Sequence, residues 1–112
     1  MFDIMVIGGG PSGSHFASGA AKKGYNVALI EKGQLGRAKC CAGGLSGRFL
    51  SEYRVPPGLI EREIRKFKMI SPSGEKTELT FDRTAGVTVN RAEFDSWFLR
   101  EAVDCGCQAH LE

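Results

Sequence analysis

The hydrophobic and polar positions of the first 31 residues predict a strand, a glycine-rich turn, a helix and a second strand. Asp3-Ile4-Met5-Val6-Ile7 is a short apolar run that leads directly into Gly8-Gly9-Gly10-Pro11-Ser12-Gly13. Small residues at helical spacing then predict a helix from about Ser12 to Lys23. Asn26-Val27-Ala28-Leu29-Ile30 is a second apolar run, and it ends on Glu31. We expect the two strands to be parallel neighbours joined by a right-handed crossover.

The pattern changes after the second strand. Residues 33–45 are rich in glycine and basic residues without periodicity, and long loops in compact domains are often functional. A short helix is expected from about Leu45 to Tyr53, ahead of two prolines. Alternation then predicts strands over Arg65–Ser71 and Lys76–Phe81, which would form an antiparallel hairpin, and a further strand over Gly86–Val89.

A second long helix is predicted near the end of the chain. Asn90 is a suitable N-cap and Glu93 stands where a capping-box acid belongs. Gly106 is expected to end the helix, and residues 107–112 could only begin another strand. The apolar face of this helix is predicted to consist of Phe94, Trp97, Phe98, Ala102 and Cys105.

Composition narrows the class of protein. The chain has 112 residues, which makes one domain or part of one, and 42% of them are hydrophobic. The net charge of +2 gives no argument for nucleic-acid binding. No apolar run approaches the roughly 18 residues of a membrane span, and no secretion signal is present, so we expect a cytoplasmic protein. The spacing of the four cysteines does not match a zinc site, and free thiols with no bound metal are expected.

The glycine turn has the chemistry of a dinucleotide site. Gly8 would allow a tight turn, Gly10 would let a pyrophosphate approach the backbone, and Gly13 would let the helix pack closely on the strand. Pro11 suits the first helical position, where its missing N–H is no loss. The free N–H groups of the first helical turn, beginning at Ser12, and the helix dipole favour a phosphate.

Glu31 completes this pattern, because an acid about 20 residues past the glycines can accept hydrogen bonds from ribose hydroxyls. Such an acid suits a free 2′-hydroxyl, so the pattern favours FAD or NAD over NADP and does not separate FAD from NAD. The alternative is a glycine-rich surface turn with no ligand.

Three stretches carry a resemblance to a known family. They are Val6-Ile7-Gly8-Gly9-Gly10-Pro11-Ser12-Gly13 with Glu31-Lys32, then Lys39-Cys40-Cys41-Ala42-Gly43-Gly44-Leu45-Ser46, and Asn90-Arg91-Ala92-Glu93-Phe94-Asp95-Ser96-Trp97-Phe98-Leu99. The chain resembles the FAD-dependent geranylgeranyl reductases, within the flavoproteins that include the aromatic hydroxylases. The first motif is common to many flavoproteins, and the second narrows the family.

The resemblance implies roles for individual residues. Glu31, with Lys32 beside it, would bind the adenosine ribose of FAD, and Arg91 would reach the pyrophosphate or ribityl region. Cys41, Ala42 and Gly43 would approach the flavin ring. The alternative for Arg91 is an exposed arginine with no ligand. Because Cys40 stands beside Cys41, the alignment with the family is ambiguous by one residue. The alternative for either cysteine is a buried structural thiol. No catalytic residue is identified.

The implied activity is flavin-dependent reduction of prenyl double bonds in isoprenoid lipids. The implied partners are a prenyl lipid and a reduced electron donor, and a lipid substrate leaves a peripheral membrane contact open. The alternatives are another flavoprotein of the same fold, such as an aromatic-hydroxylase-like monooxygenase, and a non-catalytic nucleotide-binding module.

The expected fold class is α/β, a Rossmann-like FAD/NAD(P)-binding fold with a parallel sheet and an inserted antiparallel hairpin. Residues 1–110 would be the N-terminal part of an FAD/NAD(P)-binding domain, in which residues 38–89 are an inserted loop, short helix and hairpin and residues 90–106 a core helix. Residues 111–112 resemble a cloning remnant. Because the reductases continue further, we expect this chain to be a piece of a longer enzyme. By itself it is expected to bind FAD weakly or not at all, and the alternative is a complete small nucleotide-binding module.

Overall fold

The computed structural model describes all residues from 1 to 112, which form two compact units. The first unit consists of Met1–Cys40 and Arg91–Glu112, and the second of Cys41–Asn90. The elements of the first unit are β1 (Ile4–Ile7), α1 (Pro11–Lys22), β2 (Val27–Glu31), α3 (Arg91–Asp104) and β8 (Gln108–Leu111). Those of the second are β3 (Gly44–Ser46), α2 (Gly47–Glu52), a 3-10 turn (Pro57–Leu59), β4 (Ile60–Ile64), β5 (Lys66–Ile70), β6 (Lys76–Thr80) and β7 (Gly86–Val89).

The first unit contains a three-stranded parallel sheet in the order β1-β2-β8. Ile4 pairs with Val27 and Ala28 pairs with Gln108, so β2 is the central strand. The prediction of two parallel neighbouring strands with a helix between them is confirmed. The prediction of an α/β Rossmann-like fold with an inserted antiparallel part is also confirmed.

Two helices contribute to the core beside this sheet. Ala17 and Ala20 of α1 and Leu99 and Ala102 of α3 belong to the same buried cluster as Leu29 of the central strand, which is fully buried. Val27, Ala28 and Leu29 of β2 are all buried, whereas β1 alternates between half-buried and exposed positions. The core of the first unit comprises Ala17, Ala20, Val27, Leu29, Leu99, Ala102 and Cys107.

The buried face of α3 differs in part from the predicted one. Phe94, Phe98 and Ala102 are buried as expected, whereas Trp97 and Cys105 are only half-buried. Leu99 takes the central place and is 1% exposed. Periodicity alone did not fix the centre of the buried face, because the packing of α3 against α1 and the sheet sets the rotation of the helix.

The second unit is antiparallel. β5 and β6 form the predicted hairpin, with Phe67 opposite Leu79. The unit is more than a hairpin, however, because β3, β7 and β4 form a separate three-stranded sheet. β4 was not predicted, and β3 occupies the start of the predicted helix, which begins only at Gly47 and is capped by the Ser46 hydroxyl.

Leu111, at the end of β8, pairs with Glu31. That pairing does not bear on the origin of residues 111–112, which stays a hypothesis. None of the three helices combines the length and the apolar character needed to cross a membrane.

Candidate functional site

Close contacts between backbone atoms stabilise the glycine turn between β1 and α1. Gly8 adopts φ +102°, a left-handed conformation that favours glycine, and its N–H donates to the Ile30 carbonyl oxygen at 2.7 Å. A Cβ atom at Gly13 would collide with the Gly8 carbonyl oxygen. The start of α1 is therefore packed against the turn at a distance that only glycine permits.

Gly10 differs from its neighbours, because nothing in the protein requires a glycine there. It is the N-cap of α1 with φ −72° and ψ 179°, which any residue adopts. No other part of the protein comes within 4 Å of the place that a Cβ atom would occupy. The absent side chain leaves open space directly in front of the helix, which is the space that a bound diphosphate needs.

The first turn of α1 suits an anion. Pro11 is its first residue, no side chain caps the helix, and the turn contains no acidic residue. The Ser12 side chain is exposed and the Ser14 hydroxyl donates to the Gly9 carbonyl oxygen at 3.1 Å. The N–H groups of the first turn have no partner within the helix, and the positive end of the helix dipole favours negative charge at this point.

The Glu31 carboxylate lies over the same turn. It accepts hydrogen bonds from the backbone N–H of Gly9 at 2.6 Å and of Gly33 at 3.1 Å, and Arg37 Nη2 lies 3.5 Å from its Oε1 atom. The Gly9 hydrogen bond is the main reason that the pKa of Glu31 lies below its ordinary value; burial opposes this, and Arg37, Lys39 and the Gly33 hydrogen bond lower it further. Glu31 is therefore a carboxylate near neutral pH.

A cleft of about 290 Å³, including its open mouth, lies beside this carboxylate. Its walls come from the glycine turn, the end of β2, the loop after β2 and the first half of α3. The lining residues are Gly9, Glu31, Gln34, Leu35, Gly36, Arg37, Lys39, Ala92, Asp95, Ser96 and Leu99. The cleft thus brings two carboxylates and two cations together beside the start of α1.

Arg91 forms a bidentate ion pair with Asp95 one helical turn further on. Its Nε donates to Oδ1 at 2.8 Å and its Nη2 donates to Oδ2 at 3.1 Å. Only 24% of the Arg91 side chain is exposed. The alternative of a solvated surface arginine is therefore wrong, whereas the expected contact with FAD stays a prediction.

The cysteine–glycine loop belongs to the second unit. Cys40 and Cys41 are both exposed, so the alternative of a buried structural thiol is wrong for either residue. Gly43 adopts φ +72°, and a Cβ atom there would collide with the carbonyl oxygen of Val89, whose N–H donates to the Gly43 carbonyl oxygen at 2.9 Å. The backbone conformation and the close contact with Val89 therefore explain why a glycine stands at position 43. The proximity of Cys41, Ala42 and Gly43 to a flavin stays a prediction.

The structure brings most of the predicted site residues together. The glycine turn, the start of α1 and Glu31 converge, whereas Lys32 is exposed beside them. Four residues were not identified from the sequence: Gly9, Arg37, Lys39 and Asp95. The spacing of Arg91 and Asp95 by four residues on a predicted helix could have indicated their ion pair. No group of three or more His, Cys, Asp and Glu residues is placed to hold a metal ion.

Comparisons with known proteins agree with this geometry. The NAD(P)-binding Rossmann-like domain family matches residues 6–39, which include the glycine turn and Glu31. Digeranylgeranylglycerophospholipid reductase 1 of Methanopyrus kandleri is 38% identical over 98% of this chain, and geranylgeranyl diphosphate reductase of Rhodobacter capsulatus is 32% identical over 96% of it.

The chain is homologous to geranylgeranyl reductases over most of its length. The resemblance predicted from the sequence is confirmed. The chain spans 29% of the Methanopyrus protein and 27% of the Rhodobacter protein.

Two solved structures also resemble this chain. A geranylgeranyl bacteriochlorophyll reductase-like protein of Thermoplasma acidophilum superimposes with a TM-score of 0.89 and 29% identity, over 98% of this chain and 30% of that one. A triple mutant of a flavin-dependent brominase superimposes with a TM-score of 0.79 and 28% identity, over 99% of this chain and 30% of that one.

Proposed function

We propose that this chain binds the adenosine diphosphate half of FAD, as part of a reductase that saturates prenyl double bonds of isoprenoid lipids. The observation that carries the proposal is the open space at Gly10 beside a carboxylate at the end of β2. The similarity to reductases of geranylgeranyl lipids supplies the substrate class, and the likeness to a flavin-dependent brominase supports a flavin.

In this proposal the diphosphate lies at the start of α1. Gly10 leaves room for it, and the N–H groups of Ser12 and Gly13 are directed at an anion by the helix geometry. Gly8 and Pro11 act indirectly, since Gly8 makes the turn and Pro11 begins the helix without a donor to lose.

The residues present also suit an adenosine ribose. An ionised carboxylate has about four lone-pair sites, and the two backbone N–H groups of Gly9 and Gly33 occupy two of them at Glu31. The third partner, Arg37, is 44% exposed and lies at 3.5 Å, so ribose hydroxyls can replace it. We propose that Glu31 accepts hydrogen bonds from those hydroxyls and that Lys32 flanks the adenosine from solvent.

Arg91 is proposed to hold the diphosphate or the ribityl chain from α3. Its guanidinium has five N–H donors, and the two bonds to Asp95 fix the plane of the group. Cys41, Ala42 and Gly43 are proposed to face the flavin ring through their backbone. In this role the positive φ of Gly43 matters because it sets the direction of the neighbouring peptide groups.

In the proposed reaction the cofactor performs the redox chemistry, and the protein binds and orients it. When bound, reduced FAD would supply the hydride for one carbon of a prenyl double bond, and the other carbon would receive a proton. The residues of this chain bind and orient the dinucleotide and exclude water from the diphosphate. A prenyl lipid, a reduced electron donor and a peripheral contact with a membrane are the proposed partners.

The alternative is a flavoprotein of the same fold with another activity. The likeness to the brominase favours this alternative. However, the brominase has a TM-score of 0.79 and the reductase-like protein one of 0.89, so the structural similarity favours the reductase. The two functions differ in substrate, so an assay of geranylgeranyl-lipid saturation with reduced flavin separates them. A protein that binds FAD and does not reduce a geranylgeranyl lipid would support the alternative.

Replacement of Gly10 by valine tests the binding site. The side chain would fill the space proposed for the diphosphate, so we expect FAD affinity to fall at least about tenfold, as followed by flavin fluorescence. Gly19→Ala is the control, because Gly19 lies in α1 and its Cβ position is equally open. The substitution is made in the full-length protein. Equal FAD affinity with and without Gly10→Val would contradict the proposed site.

A further inference from the structure

Asp95 is a buried carboxylate at the centre of a small charge cluster. Only 7% of the residue is exposed, and it carries both bonds of the Arg91 ion pair. The Lys39 ammonium lies 3.8 Å from its Oδ2 atom. Asp95 therefore joins two cations from separate parts of the first unit, one from the loop after β2 and one from the first residue of α3.

Helix stability alone is a poor explanation for this cluster. Arg91 is the first residue of α3, where a cation opposes the helix dipole. A basic residue four positions before an acid is also the less favourable order of an i,i+4 pair. Burying the pair costs desolvation energy that a surface pair would not incur. An arrangement that is unfavourable in these three respects indicates a requirement other than the stability of α3.

The position of the cluster indicates what that requirement is. Asp95 and Lys39 line the same cleft as Gly9 and Glu31. Through Gly9 this cleft lies next to the glycine turn that precedes α1. The cleft combines the Glu31 carboxylate, where a ribose is proposed, with Lys39 and with Asp95, the counter-ion that Lys39 shares with Arg91. Two cations held by one carboxylate leave a net positive charge, which suits a diphosphate.

We propose that Asp95 is a positioning residue, which holds Arg91 and Lys39 in place for the diphosphate of the bound dinucleotide. The inference rests on the proposed function. The two bonds to Asp95 fix the plane of the Arg91 guanidinium, so less conformational entropy is lost when the guanidinium binds an anion. Lys39 has a flexible side chain and gains more from being held by the same carboxylate.

Titration of the 112-residue chain with ADP and with adenosine tests this role, by ligand-detected NMR or calorimetry. Asp95→Asn should weaken ADP binding about tenfold and leave adenosine binding within about twofold, because only ADP has the diphosphate. Asp95→Glu keeps the charge and should restore part of the loss. In an Arg91→Gln background, Asp95→Asn should have a smaller effect, since one of its two cations is already absent.

Glu52→Gln is the matched control, because Arg48 and Glu52 form an i,i+4 pair of the same order that is exposed and lies in the second unit. It should change neither affinity. Equal losses of ADP and adenosine binding in Asp95→Asn, or an unchanged ADP affinity, would overturn the inference and leave the proposed function standing. A 112-residue chain that does not bind ADP would overturn both.

If Asp95→Asn does not fold, Asp95→Glu decides the matter. It retains the carboxylate and shifts it by one methylene, so a positioning role requires a loss of ADP affinity with adenosine affinity retained. ADP affinity equal to that of the parent chain would contradict the role.

Discussion

The backbone N–H of Gly9 donates a hydrogen bond of 2.6 Å to a carboxylate oxygen of Glu31, 22 residues further along the chain. This bond ties the end of β2 to the glycine turn that follows β1. A Cβ atom at Gly9 would lie 3.1 Å from the Glu31 Cβ atom, so the two residues also pack against each other. The carboxylate thereby has a structural role in addition to the proposed binding role.

Acid should weaken the fold through this carboxylate. Its pKa in the folded protein lies below the ordinary value of 4.5, chiefly because of the Gly9 hydrogen bond. The stability that ionised Glu31 supplies is therefore present in full above about pH 4.5 and is lost as the pH falls through the lower folded pKa. Glu31→Gln should remove this dependence and cost about 1 kcal/mol at neutral pH.

Denaturant unfolding from about pH 6 to about pH 3 measures this effect. The free energy of unfolding of the parent chain should approach that of Glu31→Gln as the pH falls. Circular dichroism at neutral pH provides the control that both proteins fold. Curves that stay parallel over the whole range would show that the Glu31 charge does not stabilise the fold.

Gly13 should tolerate no side chain. The Cβ atom of Gly13→Ala would collide with the Gly8 carbonyl oxygen, and neither backbone segment can move without displacing the turn. We expect a loss of about 3 kcal/mol in the free energy of unfolding. Gly19→Ala, which has open space and lies in the same helix, should be neutral or slightly stabilising. Equal stability of the two variants in thermal unfolding would contradict the close packing of α1 on the turn.

Leu99 should be a main contributor to the core of the first unit. It is 1% exposed on α3 and belongs to the cluster around Leu29. Leu99→Ala removes buried methyl groups and leaves a cavity, at a cost of about 3 kcal/mol measured by denaturant unfolding. Val103→Ala is the control, since Val103 is 44% exposed on the same helix and should change stability by less than about 0.5 kcal/mol. A cost below that of the control would place the core elsewhere.

The site should discriminate against a 2′-phosphate. Such a group would approach the Glu31 carboxylate, where two negative charges repel each other. AMP should therefore bind at least about tenfold more tightly than adenosine 2′,5′-bisphosphate, which differs from it only in the 2′-phosphate, as measured by competition with FAD. Glu31→Gln removes the charge and should narrow the difference. Equal affinities for the two nucleotides in the parent chain would show that Glu31 does not face the ribose.

The first 31 residues could be interpreted from the sequence because their structure is local. A strand, a turn that needs glycine at Gly8, a helix that starts at Pro11 and a strand ending on Glu31 depend on short-range backbone geometry and periodicity. The predicted bounds differ from the observed ones by one residue. The same reasoning placed Gly10 at the open end of α1.

The middle of the chain was harder to predict for a physical reason. β4 alternates weakly and its residues Glu61, Arg62 and Glu63 are all exposed, so its strand conformation depends on pairing with β7. β3 has only three residues and pairs with the same strand. Long-range pairing of this kind leaves little trace in local hydrophobic pattern.

The sequence by itself determined the parallel strand–helix–strand unit, the hairpin of β5 and β6 and the residue types of the glycine turn with Glu31. Only the tertiary structure decided how far the buried side of α3 extends around the helix, and with it the place of Asp95. Rotation of a helix by part of a turn exchanges Trp97 for Leu99 in the core with little change in periodicity. The packing of α3 against α1 and the sheet fixes that rotation, and it places Asp95 and Lys39 beside Glu31 in one cleft.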